Sequence, residues 1–166
     1  SHCNFGSGCF ITDRRKQAGR SRLIIYTMSH HSRDIAAVQL PVYIIGAGGI
    51  VNTAHLPAYQ LAGFQVQAIC DLDPVKAMST AERFSIPKVF HSAGEMLQQL
   101  PANAIVDMAV PGPAMIPLLN QLPQGCSVLL QKPMGDDLQA ANEILAICRR
   151  KQLKAAVNFQ LRYAPF

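Results

Sequence analysis

A short apolar strand-like run, Val42-Tyr-Ile-Ile45, breaks off into Gly46-Ala-Gly-Gly49, and a helix-like segment opens at Ile50. Few folds accommodate that order. A strand that turns through glycines into a helix start leaves backbone N–H groups at the positive end of a helix dipole. Both favour an anion, above all a phosphate.

The spacing narrows the ligand. Gly46-x-Gly48-x-x-Val51 carries two of the three glycines of a dinucleotide fingerprint. The first permits the tight turn and the second lets a pyrophosphate approach the backbone. Val51 stands where a third small residue allows close packing, so the helix is expected to sit slightly outward or Gly49 to relax the turn. Gly49 and Ile50 complete the cradle. Asp71 comes twenty residues after Val51, at the end of the strand-like run Phe64–Cys70. An acidic residue there binds the adenine ribose. Asp71 would repel a 2′-phosphate, no Arg comes after it and Asp73 adds negative charge, which favours NAD over NADP. The alternative is that Asp71 merely caps the next segment.

The rest of the chain alternates. Ile50 to Ala62 reads as a helix with Ile50, Ala54, Leu56 and Leu61 on its packed face, a break near Pro57 and a stop at Gly63. Asp73 caps a helix that begins at Pro74 and runs to about Phe84. Lys88–Phe90 is a strand, and Ser92 caps a helix to Leu100. Ala104–Val110 is a strand, followed by a helix from about Ala114 to Leu122 and a strand at Ser127–Leu130. Asp136 or Asp137 caps a helix to about Lys151, with the stripe Leu138, Ala141, Ile144, Leu145 and Cys148. Leu153–Phe159 is the last strand. This order predicts an α/β fold, a doubly wound parallel six-stranded Rossmann sheet.

Strand ends at the carboxyl edge of such a sheet line its ligand crevice. Val110-Pro111 and Gln131-Lys132 both fall there. Pro133 pushes Lys132 towards extended geometry, and the bond between them is a candidate cis peptide. A lysine placed there can hydrogen-bond a substrate hydroxyl. It can equally be a solvated turn lysine. His55 and His91 read as structural.

Residues 1–40 differ in kind. They hold six basic and two acidic side chains, against nine and eight in the remainder. The later, nearly neutral part carries no nucleic-acid footprint. The first forty residues lack a sustained period and read as a disordered extension, with Met28 as a natural start. The apolar run after Arg14-Arg15 is too short for an export signal. Cys3, Cys9, His30 and His31 match no zinc spacing, so no metal is expected. No apolar run approaches the roughly 18 residues of a membrane span. Five scattered cysteines suggest reduced thiols and a cytoplasmic protein.

Four motifs in order make a more specific case: Gly46 to Tyr59, Cys70-Asp71-Leu-Asp-Pro-Val-Lys76, Lys132-Pro133, and Asn158-Phe-Gln-Leu-Arg-Tyr-Ala-Pro165. Together they resemble the glucose–fructose oxidoreductase, inositol dehydrogenase and rhizopine-catabolism (Gfo/Idh/MocA) family, over about residues 41–166. The resemblance implies NAD(P)-dependent hydride transfer to or from a sugar, polyol or related cyclic substrate. It carries the role of the lysine in the family's Glu-Lys-Pro motif to Lys132, where Gln131 replaces the Glu. Asn158 and Arg162 match the stretch leading to the substrate domain, and a His usual after the fourth strand is replaced by Ala114 and Met115. It further implies a second α/β domain, absent from this chain, that supplies most substrate contacts and a homo-oligomer interface. On that basis 41–159 is the dinucleotide-binding domain, 160–166 begins the connection, and the chain is a truncated product inactive alone. The competing function is a non-catalytic nucleotide-binding sensor or partner-binding module, which Gln131 favours slightly.

Overall fold

The computed structural model describes residues 40–159. The extension expected over residues 1–40, save Leu40, the connection expected at 160–166 and the substrate-side role of Arg162 lie outside that range. The elements, in chain order, are β1 (Val42–Ile45), a π-helical segment (Val51–His55), α1 (Leu56–Ala62), β2 (Val66–Cys70), α2 (Pro74–Phe84), β3 (Lys88–Phe90), α3 (Ala93–Gln98), β4 (Ile105–Met108), α4 (Gly112–Gln121), β5 (Ser127–Gln131), α5 (Leu138–Arg150) and β6 (Lys154–Asn158).

All six strands form one sheet in the order β3-β2-β1-β4-β5-β6. Every neighbouring pair is parallel. This is the doubly wound order, with its topological switch between β1 and β4. Because strand side chains alternate, β1 serves two cores. Val42 and Ile44 pack with Val51, Leu56 and Ile69 on one face. Tyr43 and Ile45 pack with Met96, Met108, Leu119 and Ile144 on the other. Both faces of the central strands are therefore covered, as a parallel sheet requires.

Local signals set most boundaries. The Asp73 carboxylate accepts from the amides of Val75 and Lys76, and Ser92 Oγ accepts from Glu95. Of the two candidate caps for α5, Asp137 is the one used, accepting from Ala140. Gly63, at φ +75°, ends α1.

Four apolar assignments fail. Leu61 is 92% exposed, Leu138 is 77% exposed, and Ile50 and Ala54 also face outward. For Leu61 the reason is a change of pitch. The Leu56 amide donates to the Val51 carbonyl, five residues back. Such a turn carries an extra residue and rotates the rest of the helix out of phase. The interruption falls where Pro57, lacking an N–H, cannot pair with the Thr53 carbonyl four residues earlier. Val51 itself is fully buried at the start of this wider turn. Leu138 is the first residue of α5, and the buried stripe is instead Ile144, Ile147 and Cys148.

Candidate cofactor and active site

The glycine turn is built as a brace with an open side. Gly46 has φ +106°, and a Cβ there would strike the Ala109 carbonyl. Only glycine lets the chain leave β1 so close to the end of β4. Its amide donates to the Cys70 carbonyl at 2.8 Å. Gly48 and Gly49 differ: a Cβ at either position would meet nothing within 4 Å.

Side chains from the adjoining helical turns secure the other side. Asn52 Nδ2 donates to the carbonyls of Ala47 and Gly48 at 3.0 and 3.1 Å and to Thr80 Oγ1 at 3.1 Å. Thr53 Oγ1 donates to the Gly49 carbonyl at 2.8 Å. Three turn carbonyls are thus held back against the helix, whose first N–H groups have no partner within it. The exposed glycine face can therefore accept a pyrophosphate, and the residues present fit a dinucleotide.

Asp71 joins this turn. Its Oδ2 accepts from the Ala47 amide at 2.6 Å and its Oδ1 from the Asp73 amide at 2.8 Å. Asp71 thus organises the start of α2 and also lies against the glycine turn. A carboxylate has about four lone-pair sites, so each oxygen retains capacity for a ribose hydroxyl.

The second half of the site lies at the ends of β4 and β5. Val110 and Pro111 follow β4 at the carboxyl edge of the sheet, half-buried and exposed respectively. Lys132 stands just past β5, is exposed, and is joined to Pro133 by a cis peptide bond. Its ammonium makes no hydrogen bond or ion pair among the described residues, while its backbone N–H donates to Gln131 Oε1 at 2.9 Å.

Gln131 leads into a buried polar network. Its Nε2 lies 2.9 Å from His55 Nε2, and Asn158 Nδ2 lies 3.3 Å from the same nitrogen. His55 Nδ1 lies 2.7 Å from Asp107 Oδ2, which also accepts from the Tyr59 hydroxyl at 2.8 Å. His55 is 6% exposed and Asp107 wholly buried. Asp107 sits mid-strand, beside Ile44 of β1 and Leu129 of β5. Alternation sends Val106 and Met108 to the other core and Asp107 to the face of His55.

The hydrogen-bond pattern assigns the ring. Two amide groups can donate to Nε2, and a carboxylate can only accept from Nδ1, so His55 is the neutral tautomer with its proton on Nδ1. Burial, reinforced by the charge and hydrogen bond of Asp107, pushes the Tyr59 hydroxyl well above its usual range and keeps it a donor. Asp107 Oδ1 has no partner among the described residues.

The sequence pattern places Asn158 at the site but reads His55 as structural, and it passes over Asp107 and Tyr59. The available signal was an aspartate inside the apolar run Ala104–Val110, since a buried carboxylate demands partners. Asn52, whose side chain braces the turn, is likewise missed.

A parallel sheet in this order, with a glycine turn after β1 and an acidic residue at the end of β2, defines a dinucleotide-binding Rossmann domain. Residues 40–159 match the family model GFO_IDH_MocA, described as an oxidoreductase family with an NAD-binding Rossmann fold, and the chain belongs to that family. It is 27% identical over 124 residues to D-apiose dehydrogenase of Paraburkholderia graminis, covering 74% of this chain and 32% of that protein. The fold is shared with an oxidoreductase from Thermotoga maritima, at TM-score 0.71 and 21% identity, over 77% of this chain and 40% of the other. It is likewise shared with the WlbA dehydrogenase of Chromobacterium violaceum, solved with NADH and UDP-GlcNAcA, at TM-score 0.67 and 21% identity, over 78% and 37%. The chain thus spans about a third of the length of D-apiose dehydrogenase and somewhat more of the two structures.

Proposed function

We propose that this chain is the cofactor-binding part of a dehydrogenase that moves a hydride between NAD and a sugar, polyol or related cyclic hydroxyl or carbonyl substrate. The observation that carries the reading is the Asp71–Ala47 hydrogen bond, which ties the ribose-reading carboxylate to the phosphate-facing turn. The relation to D-apiose dehydrogenase supports a sugar-like substrate.

In this reading Gly46, Gly48, Gly49 and Ile50 hold the pyrophosphate, Asp71 holds the adenine ribose, and Val110, Pro111 and Gln131 line the crevice. NAD supplies the hydride acceptor when bound. Lys132 binds the substrate hydroxyl and takes part in its proton transfer, with Asn158 and Arg162 towards the substrate side. Residues 41–159 form the domain, and substrate selection falls to residues beyond it, along with a homo-oligomer interface. The free thiols of Cys70, Cys126 and Cys148 suit a reducing cytoplasm. No helix among the described residues is long and apolar enough to cross a membrane.

Titrating the chain with NADH and NADPH, followed by nucleotide fluorescence, tests the cofactor assignment. NADH is expected to bind more tightly. Tighter NADPH binding overturns the NAD preference, and no binding of either overturns the reading. A non-catalytic nucleotide-binding module remains the second reading, favoured by Gln131 in place of the family's acid. Turnover of any sugar or polyol by a longer product containing this domain, lost in Lys132→Met, removes it.

A further inference from the structure

We propose that Gln131 is a positioning residue: its side-chain amide clamps the Lys132 backbone to a neutral His55 that Asp107 and Tyr59 hold in place. The functional meaning rests on the placement of Lys132 proposed above, whereas the network itself stands on geometry alone.

The amide has two ends and both are used. Oε1 accepts from the Lys132 N–H at 2.9 Å, and Nε2 faces His55 Nε2 at 2.9 Å. The first contact fixes the orientation of the amide, because only its oxygen can accept an N–H. The nitrogen must then point at the imidazole, whose Nε2 must be bare to receive it. Asp107 enforces the same state from the opposite side by requiring the proton on Nδ1. Tyr59 donates to the same Asp107 oxygen, and Asn158 at the end of β6 supplies a second donor to Nε2. Among the described residues these are the polar groups that face the ring, and they come from α1, β4, β5 and β6.

The direction of each bond matters. A carboxylate at position 131 could still accept the Lys132 N–H but has nothing to donate to His55 Nε2. The ring would then have to carry a second proton. Glutamine therefore positions Lys132 without placing another charge in the buried cluster, where an uncompensated charge is costly. The device holds the backbone from which the ammonium projects and leaves the ammonium itself untouched.

The test uses the full 166-residue chain, labelled with nitrogen-15, in three forms: unchanged, Q131M and Q131E. Ring nitrogen spectra near neutral pH are expected to show His55 protonated on Nδ1 alone in the unchanged chain and on both nitrogens in Q131E. Exchange of the Lys132 amide should remain slow in Q131E and become faster in Q131M by up to about tenfold, the loss of one hydrogen bond. A purely space-filling Gln131 would leave Q131M and the unchanged chain alike. A proton on Nε2 in the unchanged chain, a singly protonated ring in Q131E, or equal Lys132 exchange in Q131M overturns the proposal. Should Q131M fail to fold, the ring states of the other two forms decide it. NADH affinity is measured on the same samples. Absence of binding by the unchanged chain overturns the cofactor reading and leaves the spectra interpretable.

Discussion

The amide of Ala47 and the carboxylate of Asp71 meet at 2.6 Å across 24 residues of sequence. One bond thus joins the end of β1 to the end of β2, and the glycine turn cannot shift without moving Asp71, the residue proposed to bind the ribose. For Asp71→Asn, shape is nearly preserved while the charge is removed. Charge-assisted hydrogen bonds contribute about 1.5–3 kcal/mol, so NADH affinity should fall by roughly tenfold to a hundredfold. The preference over NADPH should narrow, because the repulsion of a 2′-phosphate is lost. Parallel titrations with both nucleotides check this, and an unchanged NADH/NADPH ratio would contradict it.

Gly46→Ala should destabilise the domain whether or not nucleotide is bound. The residue must hold φ +106° with its methyl directed at the Ala109 carbonyl. Replacing glycine where the native φ is positive costs more than about 1 kcal/mol. The same change at Gly48, where a Cβ has open space, should spare thermal stability relative to Gly46→Ala and act mainly on nucleotide affinity. Melting curves paired with NADH titrations separate the two glycines.

Asp107→Leu should be among the more damaging single substitutions in the sheet. It strips His55 Nδ1 and the Tyr59 hydroxyl of their shared acceptor within the core. Each buried donor left unmatched costs about 1–3 kcal/mol. Chemical denaturation of the variant against the parent measures it, and a loss under about 0.5 kcal/mol would argue against the network as drawn.

The thiols predict how the domain responds to alkali. Burial, with the nearby charge of Asp71, pushes Cys70 from an ordinary 9.0 up to about 12. Burial pushes Cys126 up to about 11 against the opposing pull of Lys151, and raises Cys148 as well. In the unfolded chain these groups lose their protons near 9.0, while the fold keeps them neutral. Their contribution to stability is therefore complete below pH 9 and declines as pH rises towards 12. Denaturation midpoints should fall across that window, and Cys70→Ala, compared at each pH, should flatten part of the slope. In the folded state at about pH 8 an alkylating reagent should modify these three cysteines far more slowly than in denaturant.

Much of the architecture was legible because it is local. The β-branched run before Gly46, the capping aspartates and serine, and the alternation of strand with helix each act within a few residues, and general rules of handedness convert them into a sheet order. The position of Asp71 was legible for the same reason. The phase of α1 was not, since a change of pitch between Val51 and His55 leaves no period of its own in five residues. The buried network escaped for a different reason. Asp107, Gln131 and Asn158 stand 52, 76 and 103 residues from His55 along the chain. No spacing rule joins them, and only the sheet order brings them together.

The π-helical segment has a consequence for how the chain can be edited. Because Leu56 bonds to Val51 rather than to Asn52, the stretch from 51 to 55 holds one residue more than a regular helix would use. Deleting any one of the residues between Val51 and His55 should anneal the helix into a single regular coil, a change that ordinary substitutions cannot mimic. It would turn Leu61 towards the sheet and swing the imidazole away from β4. Chain length at this point, more than the identity of the histidine, thus decides whether a ring reaches Asp107 at all.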